Sequence, residues 1–322
     1  MRWKHISLLV ATAAADSLCF AQSHGWFGPI SGTVYDPPTK ALRRIVGLPG
    51  AAQLSRPVIE QLDWSITAPD GKKAVALTTM GELLWVDSLD REEISSISLA
   101  QNCTPRSIAR WNADSSAVRI YEPECACFRT FASRGLRGAE VIGPELPVGE
   151  LAGATFDFAW FGRETVIAAD TGLFRMDEAG IVHRLIEPDQ DLRYLLEPHG
   201  AAWAVKASDG QIFEVRTDQK ENISLKLVAS DSDRFRAVSA ISSSKTDLWI
   251  ADRETALLYR LNRDTGAVTA EIRLATAPTK LERLAGSLLW QAGDRLDQNQ
   301  PLLVLCGSDT PRVYFVPGSD QQ

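Results

Sequence analysis

The acidic residues that recur at one point of a repeated apolar stretch are the first candidates for chemistry in this sequence. Asp36, Asp87 and Asp177 each close such a stretch, and Arg216 and Asn262 stand at the equivalent place in two other copies. Carboxylates arranged around an axis could hold a metal ion, but Asp and Asn also cap tight turns by accepting hydrogen bonds from the backbone. Because a single site does not need the same residue in every copy, the pattern favours turn capping.

Residues suited to nucleophilic or metal-dependent catalysis are few. Beyond the N-terminal segment the histidines are His24, His183 and His199, and we interpret His199, between Pro198 and Gly200, as a loop residue. The sequence contains no Gly-x-Ser-x-Gly nucleophile motif, no His-Glu-x-x-His zinc motif, no phosphate loop and no dinucleotide-binding fingerprint. The residues therefore favour a protein that is not an enzyme and that carries no cofactor.

Four cysteines, Cys103, Cys125, Cys127 and Cys306, lie downstream of the N-terminal segment. Cys103 precedes one strand of a repeat unit, and Cys125 and Cys127 lie on a later strand of the same unit. We therefore predict a disulfide from Cys103 to Cys125 or to Cys127, with four reduced thiols as the alternative. The Cys-Ala-Cys sequence is not a zinc motif, because no second Cys or His pair accompanies it.

Two irregular connections interrupt the repeat and are candidate binding loops. Residues 49–62 lead out of the first hairpin, and residues 293–300 interrupt the last unit. If the units close into a ring, both connections lie on one face as neighbours, and long loops on a rigid scaffold commonly carry binding. The polar residues predicted to make binding contacts are Arg56, Glu60, Arg295, Asp297 and Gln298.

The first residues have the pattern of an export signal. A basic start is followed by an apolar stretch over residues 6–15, and Cys19-Phe20-Ala21 offers small residues at the positions that a signal peptidase reads. We predict a signal peptide over residues 1–21, cleavage before Gln22, and an extracytoplasmic location, either periplasmic or secreted. The net charge of −7 argues against nucleic-acid binding. No apolar run approaches the roughly 18 residues of a membrane-spanning helix, and we expect a monomer.

The elements that position these residues are short strands in a repeated unit. The stretch over residues 81–87 returns in modified form at residues 172–177, 210–216 and 256–262. Each unit reads as four short strands over roughly 35 to 47 residues, which is the spacing of propeller blades. The second and third strands are apolar on both faces, whereas a strand with one solvated face alternates. Sheets buried on both faces must pack between neighbouring sheets, which indicates an all-β fold of the β-propeller type.

A single propeller domain is predicted over residues 31–318, with a linker at residues 22–30 and a C-terminal tail at residues 319–322. Six blades of four strands are the first choice, with the hairpin over residues 32–48 completing the last blade so that no strand edge stays open. Seven blades are the alternative, in which residues 302–316 supply the two inner strands of a seventh blade.

The turn Pro69-Asp70-Gly71-Lys72 resembles a hairpin common in bacterial extracytoplasmic β-propellers, including those of the Tol type. The resemblance implies the fold, and this class contains binding scaffolds, lactonases and quinone-dependent dehydrogenases. A lactonase would hold calcium with acidic and amide side chains at the central channel, and the sequence has no asparagines at matching positions in several units. A quinone-dependent dehydrogenase would repeat tryptophan motifs on the fourth strand, whereas the repeated tryptophans here lie on the first and second strands.

The sequence therefore predicts an exported, non-catalytic scaffold that binds a protein, peptide or glycan partner. One alternative is an enzyme, a lactonase-like hydrolase or a quinone-dependent dehydrogenase, with its site at the central channel. It requires converging carboxylates and an open position there. The other alternative is a structural member of an envelope assembly, which requires an exposed apolar patch on one face.

Overall fold

The computed structural model describes residues 29–133, 139–151, 156–161, 164–186, 191–197, 201–217, 223–284 and 289–318. These residues form seven antiparallel sheets, which we number 1 to 7 in chain order. Sheet 1 has three strands, sheet 3 has five, and each of the others has four. The all-β repeat predicted from the sequence is confirmed.

The strands are short and follow one another along the chain. Sheets 1 to 3 contain β1 (Ile30–Asp36), β2 (Ala41–Val46) and β3 (Gln53–Ile59); β4 (Leu62–Thr67), β5 (Ala74–Thr78), β6 (Leu83–Asp87) and β7 (Ser95–Ala100); and β8 (Ile108–Trp111), β9 (Ala117–Glu122), β10 (Cys127–Ser133), β11 (Ala139–Val141) and β12 (Leu146–Pro147). Sheets 4 and 5 contain β13 (Phe156–Phe161), β14 (Glu164–Ala169), β15 (Gly172–Met176) and β16 (Val182–Ile186); and β17 (Leu192–Leu196), β18 (Ala202–Lys206), β19 (Gln211–Thr217) and β20 (Ile223–Ser230). Sheets 6 and 7 contain β21 (Val238–Ser243), β22 (Asp247–Asp252), β23 (Leu257–Asn262) and β24 (Val268–Arg273); and β25 (Leu281–Arg283), β26 (Leu289–Ala292), β27 (Leu302–Cys306) and β28 (Arg312–Val316).

The sheets pack face to face in a cycle. A hydrophobic cluster joins each sheet to the next, and a further cluster joins sheet 7 to sheet 1. Tryptophans meet within two of these clusters, Trp85 with Trp111 between sheets 2 and 3, and Trp249 with Trp290 between sheets 6 and 7. Burial of one large apolar side chain contributes about 1.5–3 kcal/mol, so the clusters hold neighbouring sheets together. This cycle of sheets is a β-propeller.

The number of sheets differs from the six blades favoured by the sequence. Residues 49–62, predicted as an irregular connection, contain β3, which pairs with β2 and gives the N-terminal hairpin a sheet of its own. Pro57 interrupts the strand pattern of β3, and it is tolerated because β3 lies at the edge of its sheet. The alternative of seven blades has the right number of blades. Its placement of residues 302–316 as two inner strands is wrong, because β27 and β28 are the third and fourth strands of sheet 7.

The N-terminal hairpin was expected to complete the last blade, but within the described residues it adds no strand to sheet 7. Sheets 1 and 7 meet instead through side chains, among them Val34 and Leu54 of sheet 1 and Leu302 and Val316 of sheet 7. One backbone hydrogen bond also joins them, from the N–H of Leu54 to the carbonyl of Pro317 at 3.0 Å. The first and last sheets are therefore joined by apolar packing, by this backbone hydrogen bond and by the buried ion pair of Asp36 that is described below.

The recurring polar residues at strand ends have two kinds of role. Asp177 and Asn262 accept backbone N–H groups within their own turns, as the capping interpretation predicts. Asp87 instead accepts the indole N–H of Trp85 at 2.8 Å. Asp36 is buried and takes part in an ion pair that is described below. Only part of the recurring pattern is therefore explained by capping.

Hairpins connect most of the strands in the part of the chain that the structure describes. The helical elements there are two short 3₁₀ turns, Pro37–Thr39 and Gly149–Leu151. Between β4 and β5, Gly71 has a φ of +70°, and the carboxylate of Asp70 accepts the N–H of Lys72 at 2.9 Å. Over the described ranges, no helix has the length and apolar character needed to cross a bilayer.

Candidate binding site

A basic pocket lies at one end of the strands where sheets 5, 6 and 7 meet. Its volume is about 310 Å³. Residues from the ends of β21 and β25 and from the connections after β17, β21 and β23 form it. Because neighbouring strands are antiparallel, connections from the first to the second strand and from the third to the fourth emerge at the same end. The lining residues are Glu197, Ala201, Ser243, Ser244, Lys245, Arg263 and Arg283.

Glu197 is the buried acid of this pocket. Its Oε1 accepts the indole N–H of Trp203 at 2.6 Å, and its Oε2 accepts the backbone N–H of Ser243 at 2.8 Å. Burial raises the pKa of the Glu197 carboxyl above its ordinary value, although these hydrogen bonds and the charge of Arg283 act in the opposite direction. Both carboxylate oxygens are occupied, so Glu197 ties sheet 5 to sheet 6.

Arg263 is fixed in the wall of the pocket by several contacts. One terminal nitrogen donates to the carbonyl of Ser244 at 3.2 Å, and the other forms an ion pair with Glu214. The guanidinium carbon also lies 5.7 Å from the ring centre of Trp203. Burial alone would raise the pKa of Glu214, but hydrogen bonds from Arg263 and Arg216 lower it below its ordinary value. Glu214 is therefore a charged partner that orients Arg263.

Arg283 and Lys245 supply the other positive charges. Arg283 donates to the carbonyl of Ser243 at 2.6 Å, and its guanidinium carbon lies 5.9 Å from the ring centre of Trp290. Its Nε is buried and has no hydrogen-bond partner among the described residues. Lys245 is exposed in the connection between β21 and β22. The pocket thus combines two pre-positioned guanidinium groups, those of Arg263 and Arg283, with the accessible ammonium group of Lys245.

The chemistry of the pocket is that of anion recognition. Three cationic side chains line one depression, and the guanidinium and ammonium groups donate strong, charge-assisted hydrogen bonds to carboxylate or phosphate oxygens. The chain as a whole carries a net charge of −7, so this concentration of positive charge is a local feature. No group of His, Cys, Asp and Glu side chains suited to a metal ion occurs in the described ranges. The histidines His24 and His199 lie outside those ranges.

Among the residues predicted to bind a partner, Arg295 is buried. Its guanidinium lies 3.0 Å from a carboxylate oxygen of Asp36 and donates to the backbone carbonyls of Gln298 at 2.6 Å and Gln300 at 2.7 Å. Residues 293–300 therefore fold around this side chain. In the structure Arg295 connects its loop to sheet 1.

The other four predicted residues are exposed. Asp297 accepts backbone N–H groups of the two residues at positions 299 and 300, and Gln298 lies beside it. Arg56 lies in β3, and Glu60 lies in the connection from β3 to β4. Within the described residues, no hydrogen bond or ion pair joins Arg56 or Glu60 to residues 293–300, so a shared binding surface stays a prediction. A smaller depression of about 100 Å³ borders this loop and is lined in part by Leu296.

The disulfide differs from the predicted one. Cys125 and Cys127 are bonded to each other, with Cα atoms 5.2 Å apart, and Cys103 is a buried free thiol. The hairpin between β9 and β10 holds Cys125 and Cys127 together. The sulfur of Cys103 lies 3.7 Å from the carboxylate of Glu122 instead. The predicted bond from Cys103 is therefore not the one that the structure contains.

The residues of the basic pocket were not identified from the sequence. Glu197, Lys245, Arg263 and Arg283 each stand at or just beyond a strand end, in three successive units. A repeat alignment could show these positions, but it does not show which strand ends face one another. That arrangement depends on how the sheets are placed around the ring.

Comparisons with known proteins define the fold without assigning a family. No protein-family model matches the chain, and no curated protein matches its sequence significantly. Many solved structures do match it. The crystal structure of AztD from Citrobacter koseri has a TM-score of 0.55 and 10% identity, and the match covers 89% of this chain and 94% of that chain.

Two further matches are of the same kind. A functionally unknown protein from Desulfotomaculum acetoxidans DSM 771 has a TM-score of 0.56 and 12% identity, covering 89% of this chain and 97% of that chain. A chain of the Mitotic Checkpoint Complex has a TM-score of 0.52 and 11% identity, covering 85% of this chain and 84% of that chain. Similarity at these identities shows the β-propeller fold, which hosts many unrelated functions.

Proposed function

We propose that this protein is an exported, non-catalytic β-propeller scaffold that binds an acidic segment of a partner protein in the basic pocket. The observation that carries the proposal is the placement of Lys245, Arg263 and Arg283 around one depression. The rest of the chain is acidic, so a negatively charged partner is drawn to this place more than to others. Complementary charge of this kind speeds association and suppresses wrong partners.

The way in which the cations are held supports a recognition role. Arg263 and Arg283 are oriented by backbone carbonyls and tryptophan rings before any ligand arrives. Pre-oriented side chains lose little rotamer freedom on binding, which leaves more of the interaction energy for affinity. Lys245 is exposed and is available to steer an approaching carboxylate.

An acidic peptide suits this chemistry better than an uncharged glycan, because charge-assisted hydrogen bonds are about twice as strong as neutral ones. Export is proposed from the signal-peptide pattern of residues 1–21. The alternative, an enzyme with its site at the central channel, stays a prediction from the sequence.

The test is the binding of a fluorescein-labelled hexaglutamate peptide, measured by fluorescence anisotropy at about 0.1 M ionic strength, where the Debye length is about 10 Å. Lys245→Glu reverses one charge of the pocket and should weaken binding by at least about tenfold. Lys72→Glu is the matched control, because it makes the same charge change at an exposed lysine in the corresponding connection of sheet 2. It should change the affinity by less than about twofold, since salt screens distant charges. Equal weakening by both variants, or no binding by the wild-type protein, contradicts the proposal.

A further inference from the structure

The direction of β1 shows that sheet 1 lacks one strand position. Near the end of β1, the hydroxyl of Tyr35 donates to the carbonyls of Leu62 at 3.1 Å and Asp63 at 2.7 Å, at the start of β4. At the other end of β4, the hydroxyl of Thr67 donates to the carbonyl of Thr33 at 3.1 Å. These contacts place the end of β1 beside the start of β4, so the two strands run in opposite directions.

The first strands of other sheets run in the same direction as one another. Trp111, at the end of β8, donates its indole N–H to the carbonyl of Ile66, near the end of β4, at 3.1 Å. Trp160, near the end of β13, donates in the same way to Arg110 of β8 at 2.8 Å. Because β1 runs against this direction, it occupies the second-strand position of its sheet. β2 and β3 then occupy the third and fourth positions.

The first-strand position of sheet 1 is therefore open in the part of the chain described, where β1 pairs only with β2. The N–H of Arg44 donates to the Ser55 hydroxyl of β3, so the backbone of Arg43 faces β1, where its partner in register is Val34. The backbone groups of Thr33, which alternate with those of Val34, then face the open edge; the carbonyl accepts the Thr67 hydroxyl and retains a second lone pair for a strand partner. An unpaired strand edge is a template for a further strand.

We infer that residues 22–27 of this chain pair with the open edge of β1 as an antiparallel strand, in place of the linker expected from the sequence. Trp26-Phe27-Gly28 repeats the sequence Trp160-Phe161-Gly162 of sheet 4. In sheet 4, β13 ends at Phe161, two residues follow, and β14 begins at Glu164. The same spacing from Phe27 leads to Ile30, where β1 begins.

The register of sheet 4 carries over to this strand. Phe161 lies opposite Glu164, and Phe158 lies opposite Ile167. The equivalent pairs are Phe27 with Ile30 and His24 with Thr33. The lengths of the two segments also agree, because β13 has six residues. If the leader is removed before Gln22, residues 22–27 are the six residues that remain before the turn. The added strand would complete the inner ring between β25 and β4.

Hydrogen exchange of the chain from Gln22 to Gln322, measured by NMR, tests this pairing. The amide of Thr33 should be protected in the wild type, and His24→Pro should speed its exchange by at least about tenfold, because proline removes the N–H that bonds to the Thr33 carbonyl. Ser23→Pro is the matched control, since the N–H of Ser23 faces away from β1 and its loss should leave Thr33 protected.

A second readout needs no variant. Gly25 and Gly32 face each other as a non-hydrogen-bonded pair in this register, with Cα atoms about 4.5 Å apart, so a nuclear Overhauser contact between their Hα protons is expected. Fast exchange of Thr33 in the wild type without this contact overturns the inference. Protection of Thr33 that survives His24→Pro also overturns it, because a different segment or a partner strand then covers the edge.

Discussion

Asp36 and Arg295 are separated by 259 positions in the sequence, yet they form a buried ion pair with 3.0 Å between Oδ1 and Nη1. The second carboxylate oxygen of Asp36 lies 3.2 Å from Nε of Arg43 and accepts the hydroxyl of Thr39 at 2.6 Å. This network joins the end of β1 to the loop between β26 and β27. It fastens the first sheet of the propeller to the last by polar contacts, beside the apolar cluster that they share.

Removal of one member of this network should be costly. Arg295→Met leaves the Asp36 carboxylate buried with one positive partner fewer, and loss of one partner from a buried ion pair typically costs about 3–5 kcal/mol. The measurement is urea unfolding monitored by tryptophan fluorescence. The control is Arg234→Met, which removes an ion pair with Asp231 at the surface and should leave the midpoint nearly unchanged. Equal midpoints for the two variants would show that the Asp36 pair does not stabilise the ring.

The stability contributed at Glu197 should depend on pH in a defined direction. Burial raises the folded-state pKa of Glu197 above the unfolded value, so the folded state binds more protons between those two values. Stability of the wild type relative to Glu197→Gln should therefore fall as pH rises from the ordinary glutamate pKa through the raised one. Unfolding free energies of both proteins, measured in urea across this range, provide the comparison. A difference that stays constant with pH would contradict the raised pKa.

Cys103 should react slowly with alkylating reagents in the native protein. Burial and the nearby Glu122 carboxylate raise the pKa of its thiol to about 11, so little thiolate is present near neutral pH. Iodoacetamide labelling followed by mass spectrometry should show little modification at Cys103 until the protein is denatured. The same digest, kept unreduced, should contain Cys125 and Cys127 in one peptide that lacks two hydrogens. A peptide linking Cys103 to either of them would refute this disulfide assignment.

Gly266 should not tolerate a side chain. It has a φ of +70°, and a Cβ added there would lie 2.0 Å from the carbonyl oxygen of Val228 in the outer strand of sheet 5. Gly266→Ala should lower the thermal unfolding midpoint through both the left-handed backbone and this clash. Gly143→Ala is the matched control, since Gly143 has a φ of +74° but no atom within 4 Å of the added Cβ. If both variants lose the same stability, the close approach to Val228 has no effect of its own.

The all-β repeat was predictable because it depends on local patterns. Strands such as β5 and β22 are apolar on successive positions, and only sheets packed between other sheets bury both faces of a strand. The turn at Gly71 and the cap at Asp177 are also local, since their hydrogen bonds join residues a few positions apart. Such features can therefore be recognised from a few consecutive residues of the sequence.

The number of sheets and the role of Arg295 were not predictable in this way. β3 carries Pro57 and has no clear alternation, and it is a strand because β2 offers it an edge. Arg295 lies in a loop of polar residues and reads as a solvated side chain, yet Asp36 from the other end of the chain meets it in the interior.

The sequence alone determined that this chain builds repeated four-stranded sheets with two buried faces, because hydrophobic periodicity and turn residues act over short distances. The tertiary structure decided that sheet 7 packs against sheet 1, that Cys125 is bonded to Cys127, and that Lys245, Arg263 and Arg283 share one pocket. Those outcomes depend on contacts between residues far apart in the chain. Such contacts exist only once the sheets have taken their places around the ring.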